Sequence, residues 1–161
     1  MHRICRLPAG RRLALGSLLA ALLSIGLAPP LSAVDTPSNP SAPDLAGVRA
    51  KIKAKDWPAA IRDLNAMVEQ GVQQADVYSL LGFSLRKSGD PKQALTFYRK
   101  ALDFDPQHKG ALEYLGELYV ETGEIDKAKE NVVLLKKLCP DGCKELTELE
   151  QSIASAAPKT N

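Results

Sequence analysis

Residues 87–94 read KSGDPKQA and residues 121–128 read ETGEIDKA, and a related stretch stands earlier, at residues 53–60, as KAKDWPAA. The closing alanines, Ala60, Ala94 and Ala128, are 34 residues apart in both steps. Leu81 and Leu115, Gly82 and Gly116, and Pro106 and Pro140 keep the same interval of 34. Self-similarity at one fixed period of this length is the mark of stacked supersecondary units.

Working outward from those stretches, each period reads as two helices. Tyr78, Leu81 and Leu85 fall at helical spacing on one face. Ser88-Gly89-Asp90 breaks that pattern, Asp90 suits the N-cap of a second helix, and Pro91 suits its first turn. Ala94, Leu95, Tyr98, Ala101 and Leu102 form the second apolar face, and Asp105-Pro106 stops it. The next period repeats the arrangement through Leu112, Leu115 and Tyr119, then Ile125, Ala128, Val132 and Leu135, then Pro140. The small residues Gly82, Gly116, Ala94 and Ala128 are expected to let the two helices of each pair approach closely.

These residues resemble the tetratricopeptide repeat (TPR), whose pattern is W-x2-L-G-x2-Y, then A-x3-F, then A, then P. Residues 75–108 supply Tyr78, Leu81, Gly82, Leu85, Ala94, Tyr98, Ala101 and Pro106, and residues 109–142 supply Leu112, Leu115, Gly116, Tyr119, Ala128, Val132, Leu135 and Pro140. A degenerate unit at 44–74 fits in its second helix through Asp56, Trp57, Ala60, Ile61, Leu64 and Met67. Its first helix fits with a one-residue shift through Leu45, Val48 and Ile52, and Val72 stands where the family has proline. The resemblance implies an all-α fold: a short right-handed solenoid of antiparallel helix pairs. Residues 143–157, with Leu146, Leu149 and Ile153 on one face of an otherwise polar helix, suit the cap that a terminal repeat needs.

The chain begins differently. Residues 13–28 carry no charge and follow Arg3, Arg6, Arg11 and Arg12, the pattern of a secretory signal. The apolar run is about 16 residues long, against roughly 20 for a membrane-spanning helix. Leu31-Ser32-Ala33 places cleavage after Ala33, which makes residues 1–33 a signal peptide, the mature protein periplasmic or secreted, and membrane contact absent after cleavage. Residues 34–43, with three prolines, read as a flexible linker. The overall net charge of +2 includes four basic and no acidic residues from the signal, so the mature chain is at −2. Without a basic cluster, nucleic acid is not the expected partner. Beyond the signal one histidine and two cysteines remain, which leaves little material for nucleophilic catalysis or a histidine-rich metal site. No enzyme activity and no cofactor are expected.

In the TPR family the first helix of each pair lines a concave groove. Carried over by repeat position, the groove residues are Arg49, Ile52 and Lys53, then Ser79, Phe83, Arg86 and Lys87, then Glu113, Glu117, Val120 and Glu121. The first two sets are basic and the third acidic. Glu113, Glu117 and Glu121 share one helix face at intervals of four and repel with no local relief. They form either a solvated face or one pole of a bipolar groove that orients a partner protein or peptide. Phe83 either anchors that partner or packs on the next repeat. Arg49 stands where a carboxylate-clamp groove has asparagine, so chaperone-tail binding is not expected. His108 should be a lone exposed histidine, and Trp57 should belong to the core.

Cys139 and Cys143 flank Pro140-Asp141-Gly142 at the junction of the last repeat and the capping helix. A disulfide there would pin the cap, since residues four apart across a turn can reach the required Cα separation of roughly 4.4–6.8 Å. The alternatives are a soft-metal site, as in copper chaperones with a similar Cys-Pro-Asp-x-Cys turn, or dithiol redox exchange. The expected function is therefore a non-catalytic interaction scaffold of the cell envelope, with a thiol-dependent copper or redox accessory factor as the alternative.

Overall fold

The computed structural model describes residues 43–156. The expected signal at 1–33 and all but the last residue of the expected linker lie outside them. Among the described residues there are seven helices and no strand. They are α1 (Ala46–Lys53), α2 (Trp57–Glu69), α3 (Ala75–Lys87), α4 (Pro91–Phe104), α5 (Lys109–Glu121), α6 (Ile125–Leu138) and α7 (Lys144–Ala156). Each packs against its neighbours in the chain, and α3 also meets α5, as α5 meets α7. The result is an all-α stack of helix pairs, as the resemblance implies.

The turn within each pair repeats almost atom for atom. The first helices end at Lys53, Lys87 and Glu121, and the second helices begin at Trp57, Pro91 and Ile125. Asp56, Asp90 and Glu124 each donate a backbone N–H to the carbonyl five residues back, at 2.9, 2.9 and 2.7 Å. Lys55, Gly89 and Gly123 precede them in the left-handed region, at φ 59°, 94° and 80°. A left-handed residue at this place closes the end of a helix. Asp56 and Asp90 then cap the second helix by accepting from Ala59 N and Gln93 N, at 3.1 and 3.0 Å. The first unit is thus built on the same turn as the others despite its degenerate sequence.

The core runs as a continuous seam through the stack. Leu64, Leu81, Tyr98, Ala94, Ala128, Leu135 and Leu149 are fully buried in it. Of the shifted positions, Val48 in α1 and Leu45 just before it are the buried ones. Gly82 does admit its pair partner closely, since a Cβ there would stand 2.7 Å from the Tyr98 ring. Gly116 differs from the expectation of close approach within its own pair. A Cβ on it would stand 2.5 Å from Leu149 Cδ2, so its missing side chain makes room for α7 instead. The helix α7 occupies the place of a further first helix, with Leu146, Leu149 and Ile153 one period beyond Leu112, Leu115 and Tyr119.

Candidate interaction face

The first helices of the pairs carry every residue expected in the groove, and the packing divides those residues into three groups. Arg49, Lys53, Lys87 and Glu121 are exposed. Ile52, Phe83, Glu117 and Val120 are half-buried. Ser79, Arg86 and Glu113 are only 2 %, 6 % and 4 % exposed, so as partner-binding side chains these three offer almost no surface. The reason is geometric: α3 is packed by α2, α4 and α5, and α5 by α3, α4, α6 and α7, so part of each supposed groove face lies beneath a neighbouring helix.

The third unit's carboxylates are relieved from the second unit. Arg86 reaches from α3 to α5, pairing with Glu117 through Nη2 and with Glu121 through Nη1 at 2.8 Å. The expected repulsion without local relief is therefore corrected: a buried guanidinium bridges two of the three glutamates. Burial works against the Arg86 charge, but Tyr98, Glu117 and Glu121 together outweigh it and hold its proton more firmly. Among the described residues, Arg86 Nε and the Tyr98 hydroxyl are buried without a hydrogen-bond partner. Tyr98 occupies the family's phenylalanine position, and burial pushes its hydroxyl well above the usual tyrosine range. Glu113 takes another course. Burial first, then the charges of Glu117 and Glu148, raise its carboxyl to about 8. It stays protonated at neutral pH, beneath α7, where Lys144 pairs with Glu148 at 3.2 Å.

Phe83 packs between repeats. Its ring lies 6.0 Å from Trp57 and 4.7 Å from Tyr114, and the side chains of Arg86 and Lys87 stand over it at 5.8 and 5.6 Å. Trp57 is half-buried at that junction rather than enclosed. His108 corrects a second expectation. It is not a free surface histidine: Nδ1 accepts from Ala111 N at 3.0 Å, capping α5, and Nε2 faces Asp76 Oδ1 at 3.3 Å. A neutral ring protonated on Nε2 satisfies both contacts. Arg49 also reaches Asp76 at 3.3 Å, so one carboxylate of α3 links the units on either side. Reading the sequence singled out none of Asp76, Tyr114, Glu148 or Lys144 for this face.

The Cys139 and Cys143 sulfurs stand within bonding distance, with a Cα–Cα separation of 5.9 Å. Among the described residues no group of three or more His, Cys, Asp or Glu is placed to hold a metal ion. The copper or redox alternative is not supported. No described helix is long and apolar enough to cross a membrane.

A stack of helix pairs of this kind supports a role as a protein-interaction scaffold. Two tetratricopeptide repeat models match the chain, one over residues 45–109 and one over 85–135, and the chain belongs to that family. It is 35% identical over 85 residues to the probable biofilm formation methyltransferase WspC of Pseudomonas putida, a match covering 53% of this chain and 20% of that protein. It is 34% identical over 68 residues to the uncharacterized protein ycf37 of Pyropia yezoensis, covering 42% of this chain and 38% of that one. Cellulose synthase 2 operon protein C of Komagataeibacter xylinus is 30% identical over 110 residues, 68% of this chain but 8% of that protein. The matched part is thus a minor portion of each relative. Among solved structures, the TPR2B-domain:pHsp70 complex of yeast Sti1 superposes with a TM-score of 0.62 at 19% identity, covering 70% of this chain and 92% of that chain. The Yersinia enterocolitica type III secretion translocator chaperone SycD gives 0.60 at 16% identity, covering 73% and 92%. Both show the same fold.

Proposed function

We propose that the protein is a non-catalytic scaffold that binds a protein segment along the face of its first helices. The observation that carries this reading is the pair of exposed lysines one period apart, Lys53 and Lys87, which enter no ion pair among the described residues. Half-buried Phe83 stands beside Lys87, and Glu121 is exposed at the far side. An extended segment with acidic residues facing the lysines and an apolar side chain on Phe83 matches that order.

The envelope location rests on residues 1–33 acting as a cleaved signal. The cysteine pair then serves as a structural disulfide that ties α7 to α6, a role suited to an oxidising compartment. The relative named for a cellulose synthase operon is consistent with work at the envelope. Intact mass of the exported protein reads both points: cleavage after Ala33 and a loss of two hydrogens. A retained leader or free thiols would reject them.

The face itself is tested with a photo-crosslinking residue at position 87 and, as a control, at exposed Glu130 on α6. A discrete adduct at 87 that disappears with Lys53→Glu, with none at 130, supports the reading. The same adducts at both positions, or none, would reject it.

A further inference from the structure

Val133 and Leu134 stand side by side on α6, 52 % and 43 % exposed. One period earlier the same places hold Arg99 and Lys100, and one period before that Asn65 and Ala66. This register thus carries polar or small side chains in the first two units and two large apolar ones in the third. Phe104 is the other large apolar side chain left exposed among the described residues. It is partly covered within its own unit, since its ring lies 4.9 Å from Tyr78 with Lys100 at 5.8 Å over it. Isolated exposed apolar side chains are ordinary. Here two adjoin, and the same chain carries an open apolar pocket.

That pocket, of about 220 Å³, lies between α4 and α5. Leu95, Leu118 and Tyr119 wall it, and Pro91, Lys92, Thr122 and Glu124 complete its lining. Apolar space of this order, above the ~150 Å³ that takes a benzene, is large enough for a leucine side chain. Its free charge is positive. Glu124 is engaged by the Thr122 hydroxyl at 3.1 Å and by Lys127, whereas exposed Lys92 enters no ion pair among the described residues. The free charge beside the apolar pair is negative on one side. Glu130, one turn before Leu134, is exposed and likewise enters no ion pair among the described residues. Lys137 follows one turn after Leu134, so it lies away from the pocket's lysine when Glu130 faces it.

We propose that Val133 and Leu134 dock on a second copy of this chain, Leu134 entering the pocket between α4 and α5 of that copy and Glu130 meeting its Lys92. Size and sign of charge both select this occupant: a leucine with a free carboxylate one turn away fits an apolar pocket with a free ammonium on its rim. The pair lies on α6 and the pocket beside α4, the second helices of successive units, and a two-fold axis between the copies makes the contact twice. The expected species is a dimer, weak because the apolar contact is small. It uses none of the residues assigned to the first-helix face and does not rest on that reading. A crosslinker at position 130 replaces the glutamate that this dimer uses, so that control stays free of self-adducts.

The test is sedimentation velocity of the protein from micromolar to millimolar concentration. The expected result is a monomer that passes to a dimer and no further. Leu134→Lys introduces the residue type that stands one period earlier as Lys100, and should raise the dimer's Kd at least about tenfold with helix content unchanged. Lys92→Glu and Glu130→Lys should each raise it several-fold. The double variant, and an equimolar mixture of the two single variants, should recover the dimer, because opposite charges then meet again. A monomer at every concentration, growth beyond the dimer, or single variants that dimerise like the parent would overturn the proposal. A double variant as weak as the single ones would do the same.

Discussion

Arg86 Nη1 donates to Glu121 Oε1 at 2.8 Å, so a guanidinium buried in one repeat is neutralised from the next. Its other nitrogen serves Glu117. Removing one partner of a buried pair leaves the remaining charges uncompensated. Arg86→Ala should therefore destabilise the protein by about 3 kcal/mol. In a Glu117→Gln/Glu121→Gln background the same change should cost less, because no carboxylate is stranded. Urea unfolding of the four proteins closes the cycle. Equal costs in both backgrounds would mean that packing, not charge, sets the effect.

Glu113 makes stability fall as pH rises. Its carboxyl holds a proton up to about 8 in the folded protein, against 4.5 ordinarily. Between those values the native state binds more protons than the unfolded state, which gives a negative slope of stability with pH. Burial is the first cause. Glu117 on the same helix and Glu148 on α7 add repulsion that Lys144 only partly offsets. Glu113→Gln should flatten the decline between about pH 5 and 8, and chemical denaturation across that range measures it. A decline of unchanged steepness would assign it to another group.

The period was legible because the same few residues recur at 34-residue intervals, and the helices end and begin on that interval. The Arg86 bridge was not read from the sequence, yet its signal was present. Glu117 and Glu121 lie 31 and 35 residues beyond Arg86, one period minus three and plus one, which is where successive first helices touch. Charge counted helix by helix hides such pairs, and charge read across the period shows them. The burial of Glu113 was less accessible, because it depends on how closely α7 seats over Gly116. The His108 cap escaped because histidine is not among the residues that lead at N-caps. Its counterpart one period earlier, Gln74, makes no side-chain cap at all.

Gly116→Ala should loosen the end of the stack. The new methyl would stand 2.5 and 2.6 Å from the Leu149 methyl carbons, and Leu149 is fully buried and cannot swing outward freely. Overpacking of this kind costs about 1–3 kcal/mol. The strain falls on α7, so its amides should exchange hydrogen faster while those of α3 and α4 change little. Gly82→Ala meets the Tyr98 ring at 2.7 Å and the Ala94 carbonyl at 3.2 Å, and should weaken the central repeats instead. Uniform acceleration in both variants would contradict this division.

Lys55 should be improved by glycine. Its φ of 59° is the left-handed conformation that Gly89 and Gly123 hold at the same register. An L side chain pays about 1–2 kcal/mol there, and glycine gives part of that back through the greater freedom of its unfolded chain. Lys55 is exposed and enters no ion pair among the described residues, so little contact is lost with the side chain. Lys55→Gly should stabilise the protein by about 0.5–1 kcal/mol. Gly89→Lys should cost a similar amount. Thermal unfolding of both variants checks the pair, and a loss of stability in Lys55→Gly would show that the first unit's turn depends on the lysine side chain and not on backbone conformation.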